Sequence, residues 1–296
     1  MEFKKIRDIK ECRKLWDKFS PKESVWDIWE MAYSFHKGYD AEPLFILGIE
    51  GGKEIGILHL EKGIEEGETF FDFFGGDYQE RVRFYIKDKR LVNKFLAQAP
   101  DDTFLTYIDP SEKDFVDGIE EDQPAYSLDL ERFDYNLDSY FSSFNKKHRK
   151  NLRYDLRQLE KLDYKLVWNV KEHLSRISEL NILRFKEESN FNDPKFSKSF
   201  KLLIDAAEKL GILHMLSIKI GKNIEASQIA LFYNNIYYVL TGGSNSGIKN
   251  LGKLLIIEHI KNAIRLKAKK IDFMSTESGW KKLWNLDETM LYRFDK

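Results

Sequence analysis

The sequence predicts two mixed α/β domains in tandem, each a mixed, mostly antiparallel sheet flanked by helices. Three observations point there. A chain of 296 residues is long enough for two cores. Hydrophobic residues make up 42% of it and aromatic residues 14%, enough to fill packed interiors and to exclude wholesale disorder. One order of elements also occurs twice: strand, two helices, three strands, helix, strand, with no visible identity between the copies. The expected domains are 1–123 and 124–296.

In the first half, a strand is expected at 3–6, followed by two helices. The second of these sets Val25, Ile28, Trp29, Ala32 and Phe35 at helical spacing. Strands follow at 43–50, 54–60 and 69–74, with Gly51-Gly52 turning the first hairpin. A helix at 88–99 and a strand at 103–108 complete the unit. The acidic segment 109–122 has few apolar residues and is expected to be a solvated connection.

The second half opens with a strand at 125–130 and one long basic helix over 137–162. A strand at 164–168 and helices at 171–188 and 194–210 come next. Strands at 212–220, 224–233 and 236–241 form a meander, turned at Gly221-Lys222-Asn223 and Asn234-Asn235. A helix at 250–267, a strand at 270–274, a short helix at 279–284 and a strand at 289–294 close the chain.

Charge is divided unevenly. Residues 1–130 hold 18 Lys+Arg against 29 Asp+Glu, and residues 131–296 hold 30 against 20, so the net of −1 hides opposite signs. Either the C-terminal half faces an anionic ligand or the halves attract each other. No apolar run has the length of a membrane span, and the charged N-terminus lacks the apolar stretch of a signal peptide. A cytoplasmic protein is expected. Cys12 is the sole cysteine, which excludes an intrachain disulfide and a cysteine-rich metal site. The six histidines show no paired metal spacing, so no metal is expected.

The segment with most chemical content is Thr241-Gly-Gly-Ser-Asn-Ser-Gly-Ile-Lys-Asn-Leu-Gly-Lys253, where a strand gives way to a glycine-rich loop and then a helix. The first turn of a helix has amides without internal partners and the positive end of the dipole, and phosphates bind there. Gly247, Lys249, Asn250, Leu251, Gly252 and Lys253 are the expected phosphate-binding residues. Lys249 and Lys253 supply countercharge, Asn250 caps the helix, and Gly252 lets a pyrophosphate approach the backbone. The alternative is an ordinary capped helix behind a flexible turn. Between Lys146 and Lys161 stand seven Lys/Arg, of which Arg149, Arg153 and Arg157 share one helical face. Such a face suits the phosphates of a nucleotide cofactor, a tRNA or a charged polymer, or is simply solvated.

This order of elements, with Lys249-Asn-Leu-Gly252-Lys-Leu254 between the meander and the next helix, resembles the GNAT acyltransferase fold. Leu254 stands where that family usually has a small residue. A resemblance to the CelD-like acetyltransferases, tandem-GNAT relatives of the Fem-type aminoacyl transferases, covers nearly the whole chain. It rests on Phe144-Asn-Lys-Lys-His-Arg-Lys-Asn-Leu-Arg153, on Asp272-Phe-Met with Trp280-Lys281-x-x-Trp284, and on Phe73-Phe-Gly-Gly-Asp77-Tyr78. Trp280 replaces the usual tyrosine, and Thr276 stands where a glycine is common.

The resemblance implies an N-acyltransferase that takes acyl-CoA, such as acetyl-CoA, as donor and a small-molecule or polymer amine as acceptor. In such a reaction the acceptor amine must lose a proton, and Glu277 is the first candidate to take it. Lys281 is expected to hold a donor phosphate or a developing oxyanion. Arg184 and Trp280 are expected substrate- or phosphate-binding residues; Arg184 faces the cleft or forms a surface ion pair, and Trp280 and Trp284 belong to the core or to an acceptor channel. Two other functions are open: aminoacyl transfer from charged tRNA, and a binding module without activity, for which the residues at Leu254 and Thr276 leave room.

Overall fold

The computed structural model describes residues 1–65, 67–275 and 279–296. By contact the chain divides into two units: Met1–Pro124 with Lys198–Ala206 and Thr289–Lys296, and Ala125–Ser197 with Ala207–Glu288.

The first unit begins with strand β1 (Glu2–Ile6) and helices α1 (Ile9–Phe19) and α2 (Trp29–Tyr39). Strands β2 (Glu42–Glu50), β3 (Lys53–Glu65) and β4 (Glu68–Phe73) extend β1 into an antiparallel sheet in the order β1-β2-β3-β4. Alternation along β2 feeds two cores. Leu44 and Ile46 pack on one face with Val92 and Phe95, and Phe45 and Leu47 pack on the other with Trp16 and Trp29. A two-residue strand that the sequence pattern does not announce, β5 (Tyr85–Ile86), pairs with β3. The helix expected over 88–99 shrinks to a 3-10 turn and α3 (Val92–Leu96). Strand β6 (Phe104–Ile108) follows.

The acidic segment is not a solvated connection. Pro110–Phe115 forms a 3-10 helix that buries Glu112, whose carboxylate meets Lys89 at 2.5 Å. Strand β7 (Glu120–Asp129) then begins well before the expected position.

The long basic helix is two helices, α4 (Leu137–Ser142) and α5 (Lys146–Glu160). Asn145 takes an extended backbone between them and accepts a hydrogen bond from His148 N–H at 2.8 Å, an N-cap that starts a new helix. Strand β8 (Tyr164–Trp168) and helices α6 (Leu174–Phe185) and α7 (Pro194–Lys209) precede the meander of β9 (Leu213–Ile220), β10 (Asn223–Tyr233) and β11 (Ile236–Ser244). Helix α8 (Leu251–Arg265) crosses back to β12 (Lys270–Asp272), parallel to β11, and β13 (Asp287–Asp295) ends the chain.

The sheet of the second unit has the order β7-β12-β11-β10-β9-β8. Helix α8 is buried along most of its length, largely by apolar residues but with Glu258, His259 and Asn262 among those buried. Leu251, Leu254 and Leu255 join Leu216 and Ile218, and Ile256, Ile257 and Ile260 join Tyr237 and Val239. Leu254 is therefore a core residue, which accounts for its size.

Pairing between β11 and β12 covers only Ile236–Tyr238 against Lys270–Asp272. Past Asp272 the chain turns to β7, where Phe273 N–H donates to Tyr126 O at 2.8 Å. Beyond Tyr238, β11 has no strand partner on that side among the described residues.

Candidate donor site at the start of helix α8

The glycine-rich stretch begins inside a strand. Gly242, Gly243 and Ser244 belong to β11, and the expected end at 241 is three residues early. Close packing explains the glycines. A Cβ on Gly243 would stand 2.6 Å from Asn181 N and 2.7 Å from Leu180 C, so α6 lies directly on the strand. The loop proper is 245–250. Asn245 organises it: its side chain donates to Glu225 Oε2 at 2.7 Å and accepts from Gly247 N–H at 2.9 Å.

Asn250 does not cap α8 with its side chain. Its backbone is left-handed, with φ 70 and ψ 4, whereas a capping side chain needs extended backbone to reach the first-turn amides. Leu254 N–H donates to Asn250 O at 3.2 Å. The N–H groups of Leu251, Gly252 and Lys253 meet no acceptor among the described residues. A Cβ on Gly252 would meet only Arg184 Nη1, at 3.8 Å. The first turn of a 15-residue helix thus presents three amides and the positive dipole end to open space.

Arg184 comes to this turn from the last turn of α6. Its Nη1 donates to Ser244 Oγ at 3.1 Å, and the guanidinium lies over the Phe185 ring, 5.3 Å from the centroid. No carboxylate pairs with it among the described residues.

Lys253 is otherwise engaged. Its Nζ meets Asp155 Oδ2 of α5 at 2.6 Å, so a resident carboxylate holds the charge assigned to a phosphate. Lys249 is exposed. On α5, Arg149 donates to Ser142 O at 2.8 Å, and Arg153 and Arg157 are exposed. At 100° per residue these two stand roughly 160° around α5 from Asp155. Because Asp155 touches α8, the arginine face is directed away from the open turn.

Residues 146–282 match the family model described as an acetyltransferase (GNAT) domain. That stretch is therefore similar to a GNAT acetyltransferase domain. No curated protein sequence matches the chain. Among solved structures, FemX superposes with a TM-score of 0.65 at 13% identity, covering 100% of this chain and 98% of its own. A conserved protein of unknown function from Bacteroides thetaiotaomicron gives 0.60 at 13% identity, covering 99% and 98%. A tandem GNAT protein from the clavulanic acid biosynthesis pathway gives 0.54 at 13% identity, covering 99% and 98%. At these identities the likeness is one of fold.

The open turn, Arg184 and the basic helix all fall within the matched GNAT domain. Glu277 and Thr276 lie outside the described residues. Lys281 is buried and donates to Met274 O at 3.0 Å and to Ser275 O, with its ammonium 5.0 Å from the Tyr126 ring centroid. It braces the chain leaving β12. Trp284 is core, and Trp280 packs edge-on against Phe273. His259 is interior, with Nδ1 2.9 Å from Tyr237 OH. Burial, and secondarily His214, pushes its pKa down to about 3, so it is neutral. Among the described residues no cluster of His, Cys, Asp and Glu is arranged to hold a metal ion, and no helix is long and apolar enough to cross a membrane.

Sequence reasoning missed Ser244 and Asp155. An isolated serine at a strand end carries no signal, and Asp155 pairs with a lysine 98 positions away.

Proposed function

We propose that the GNAT domain binds acyl-CoA and transfers the acyl group to an amine. The observation that carries this reading is the open first turn of α8: three unpartnered amides and a glycine facing only a guanidinium. Amides at a helix N-terminus suit a diphosphate, and the free edge of β11 beyond Tyr238 offers backbone groups to the amides of a pantetheine arm. In the transfer, the acceptor nitrogen attacks the thioester carbonyl, the C–S bond breaks, and the coenzyme thiolate leaves. The proton lost by the amine passes to a base, for which Glu277 is the proposed residue. Lys281, held by the Met274 and Ser275 carbonyls and by the Tyr126 and Trp280 rings, braces the chain leaving β12.

Ligand binding to the folded state raises stability by about 2.7 kcal/mol at a hundred times Kd. Millimolar coenzyme A is therefore expected to raise the melting temperature, and an unchanged transition contradicts the reading. Coenzyme A binding without turnover on a panel of amines favours a module that kept the fold and lost the reaction.

The exposed Arg153 and Arg157, with the half-exposed Tyr154 between them, favour a second reading: charged tRNA as donor, held by phosphate contacts on the outer face of α5. Copurified tRNA that dissociates at moderate salt supports it. Protein free of RNA at low salt opposes it.

A further inference from the structure

A cavity of about 290 Å³ lies within the first unit, outside residues 146–282. Its volume is that of roughly ten water molecules in the liquid, the small end of ligand pockets. Phe19, the last residue of α1, and Pro21 give it an apolar wall. The chain through β5 supplies Arg83, Lys87 and Lys89, and the 3-10 helix at Pro110–Phe115 supplies Glu112. The cavity draws on no residue of the α8 site.

The charges around it are incompletely matched. Arg83 is held by Glu23 at 2.5 Å and Asp27 at 3.0 Å. Lys89 Nζ donates to Phe84 O at 2.6 Å and to Glu112 Oε1 at 2.5 Å. Lys87 is exposed, with its ammonium 5.5 Å from the Phe19 ring centroid, and no carboxylate pairs with it among the described residues. Glu112 is the reverse case. It is 1% exposed, and its second oxygen, Oε2, meets no donor among the described residues. A buried carboxylate oxygen without a donor is costly, and a partner from outside the chain removes that cost. An exposed lysine alone carries no information. Beside an undersatisfied buried carboxyl and an apolar wall, it completes the pattern that a zwitterion with an apolar body requires. We infer that this cavity binds a free apolar α-amino acid, with its carboxylate on Lys87, its ammonium on the Glu112 carboxyl, and its side chain against Phe19 and Pro21.

Isothermal titration of the full chain tests it with L-phenylalanine and L-leucine, and with two truncated probes. Phenylpropionate lacks the ammonium, and phenethylamine lacks the carboxylate. At least one of the two amino acids is expected to bind saturably. The truncated probes should bind about tenfold or more weakly than L-phenylalanine, because each leaves one charged group of the cavity unmatched. Lys87→Met, at an exposed position, should weaken amino-acid binding about tenfold and leave phenethylamine within about twofold. Glu112→Gln should weaken the amino acid and spare phenylpropionate; if that variant fails to fold, Lys87→Met and the truncated probes still decide. No saturable binding of either amino acid at millimolar concentration overturns the inference. So does a truncated probe that matches L-phenylalanine, which would mark a site for a simple anion or amine, and so does unchanged amino-acid affinity in Lys87→Met.

Discussion

The third strand of the meander ends differently in the two halves. In the second unit, β11 leads through an Asn245-organised loop to α8, whose first-turn amides meet no acceptor among the described residues. In the first unit, β4 leads to Phe74, which is fully buried and donates its N–H to His59 O at 2.9 Å. Gly75 and a 3-10 turn at Gly76–Tyr78 follow, and Tyr78 stacks on Phe35 with ring centroids 4.3 Å apart. The Gly75 amide there meets the carboxylate of Glu61, which is paired with His36 at 2.7 Å. One half fills the place with its own carboxyl group, and the other leaves it open. The charge balance of the sequence agrees: the acidic half is the filled one.

The sharpest contrast is between two glycine substitutions. Gly75 has φ 101, and a Cβ there would stand 2.8 Å from Ala32 Cα. Gly75→Ala is expected to destabilise the first unit by about 2–5 kcal/mol in chemical denaturation, combining backbone strain and overpacking. A stable Gly75→Ala protein breaks the description of that exit as closed. Gly252→Ala meets only Arg184 Nη1, at an ordinary contact distance of 3.8 Å, so stability should stay within about 1 kcal/mol of wild type, alanine being the better helix former. Coenzyme A affinity should nonetheless fall, because the added methyl occupies the approach to the amides. Unchanged affinity means that the diphosphate lies elsewhere.

His59 lies beneath the filled exit. Burial, and then Lys89, pushes its pKa down to about 3, and neither ring nitrogen has a partner among the described residues. The unfolded chain takes up this proton near its ordinary value of 6.5, and the folded chain does so only near 3. Its contribution is therefore fully present above 6.5 and is lost progressively as pH falls towards 3. His59→Phe, which keeps the stacking on Tyr85, should raise stability at low pH by roughly 1–3 kcal/mol, the usual cost of an unsatisfied buried polar group. His259 has the same depressed value in the GNAT domain, so the acid dependence is reduced and not abolished. A variant with unaltered acid sensitivity contradicts the assignment.

The smallest effect concerns the Asp155–Lys253 pair, which is partly exposed. Asp155→Asn is expected to change stability by about 1 kcal/mol or less. By freeing Lys253 beside the open turn, it should tighten coenzyme A binding a few-fold in titration. Weaker binding points to a positioning role for the pair.

Much of the architecture was legible in the sequence because it rests on local pattern. Alternating strands, Gly51-Gly52 and Asn234-Asn235 turns and the apolar α8 set the meander and crossover of each half. The misread elements depended on distant contacts. Gly242 and Gly243 look like a loop until α6 is laid on them, and 109–122 looks solvated until Lys89 meets Glu112. The break between α4 and α5 was present as Asn145, an N-cap hidden in a basic run. At the candidate site, Gly252 and the helix start were legible from the strand–loop–helix order. That Arg184 pairs with Ser244 and Lys253 with Asp155 depended on partners 60 and 98 residues away.

Amide chemical shifts during a coenzyme A titration test the difference between the two exits most directly. The resonances of Leu251, Gly252 and Lys253 are expected to move in a saturable way while those of Gly75 and Gly76 stay put. Saturable movement at Gly75 and Gly76, or no movement at 251–253 with millimolar ligand, contradicts it.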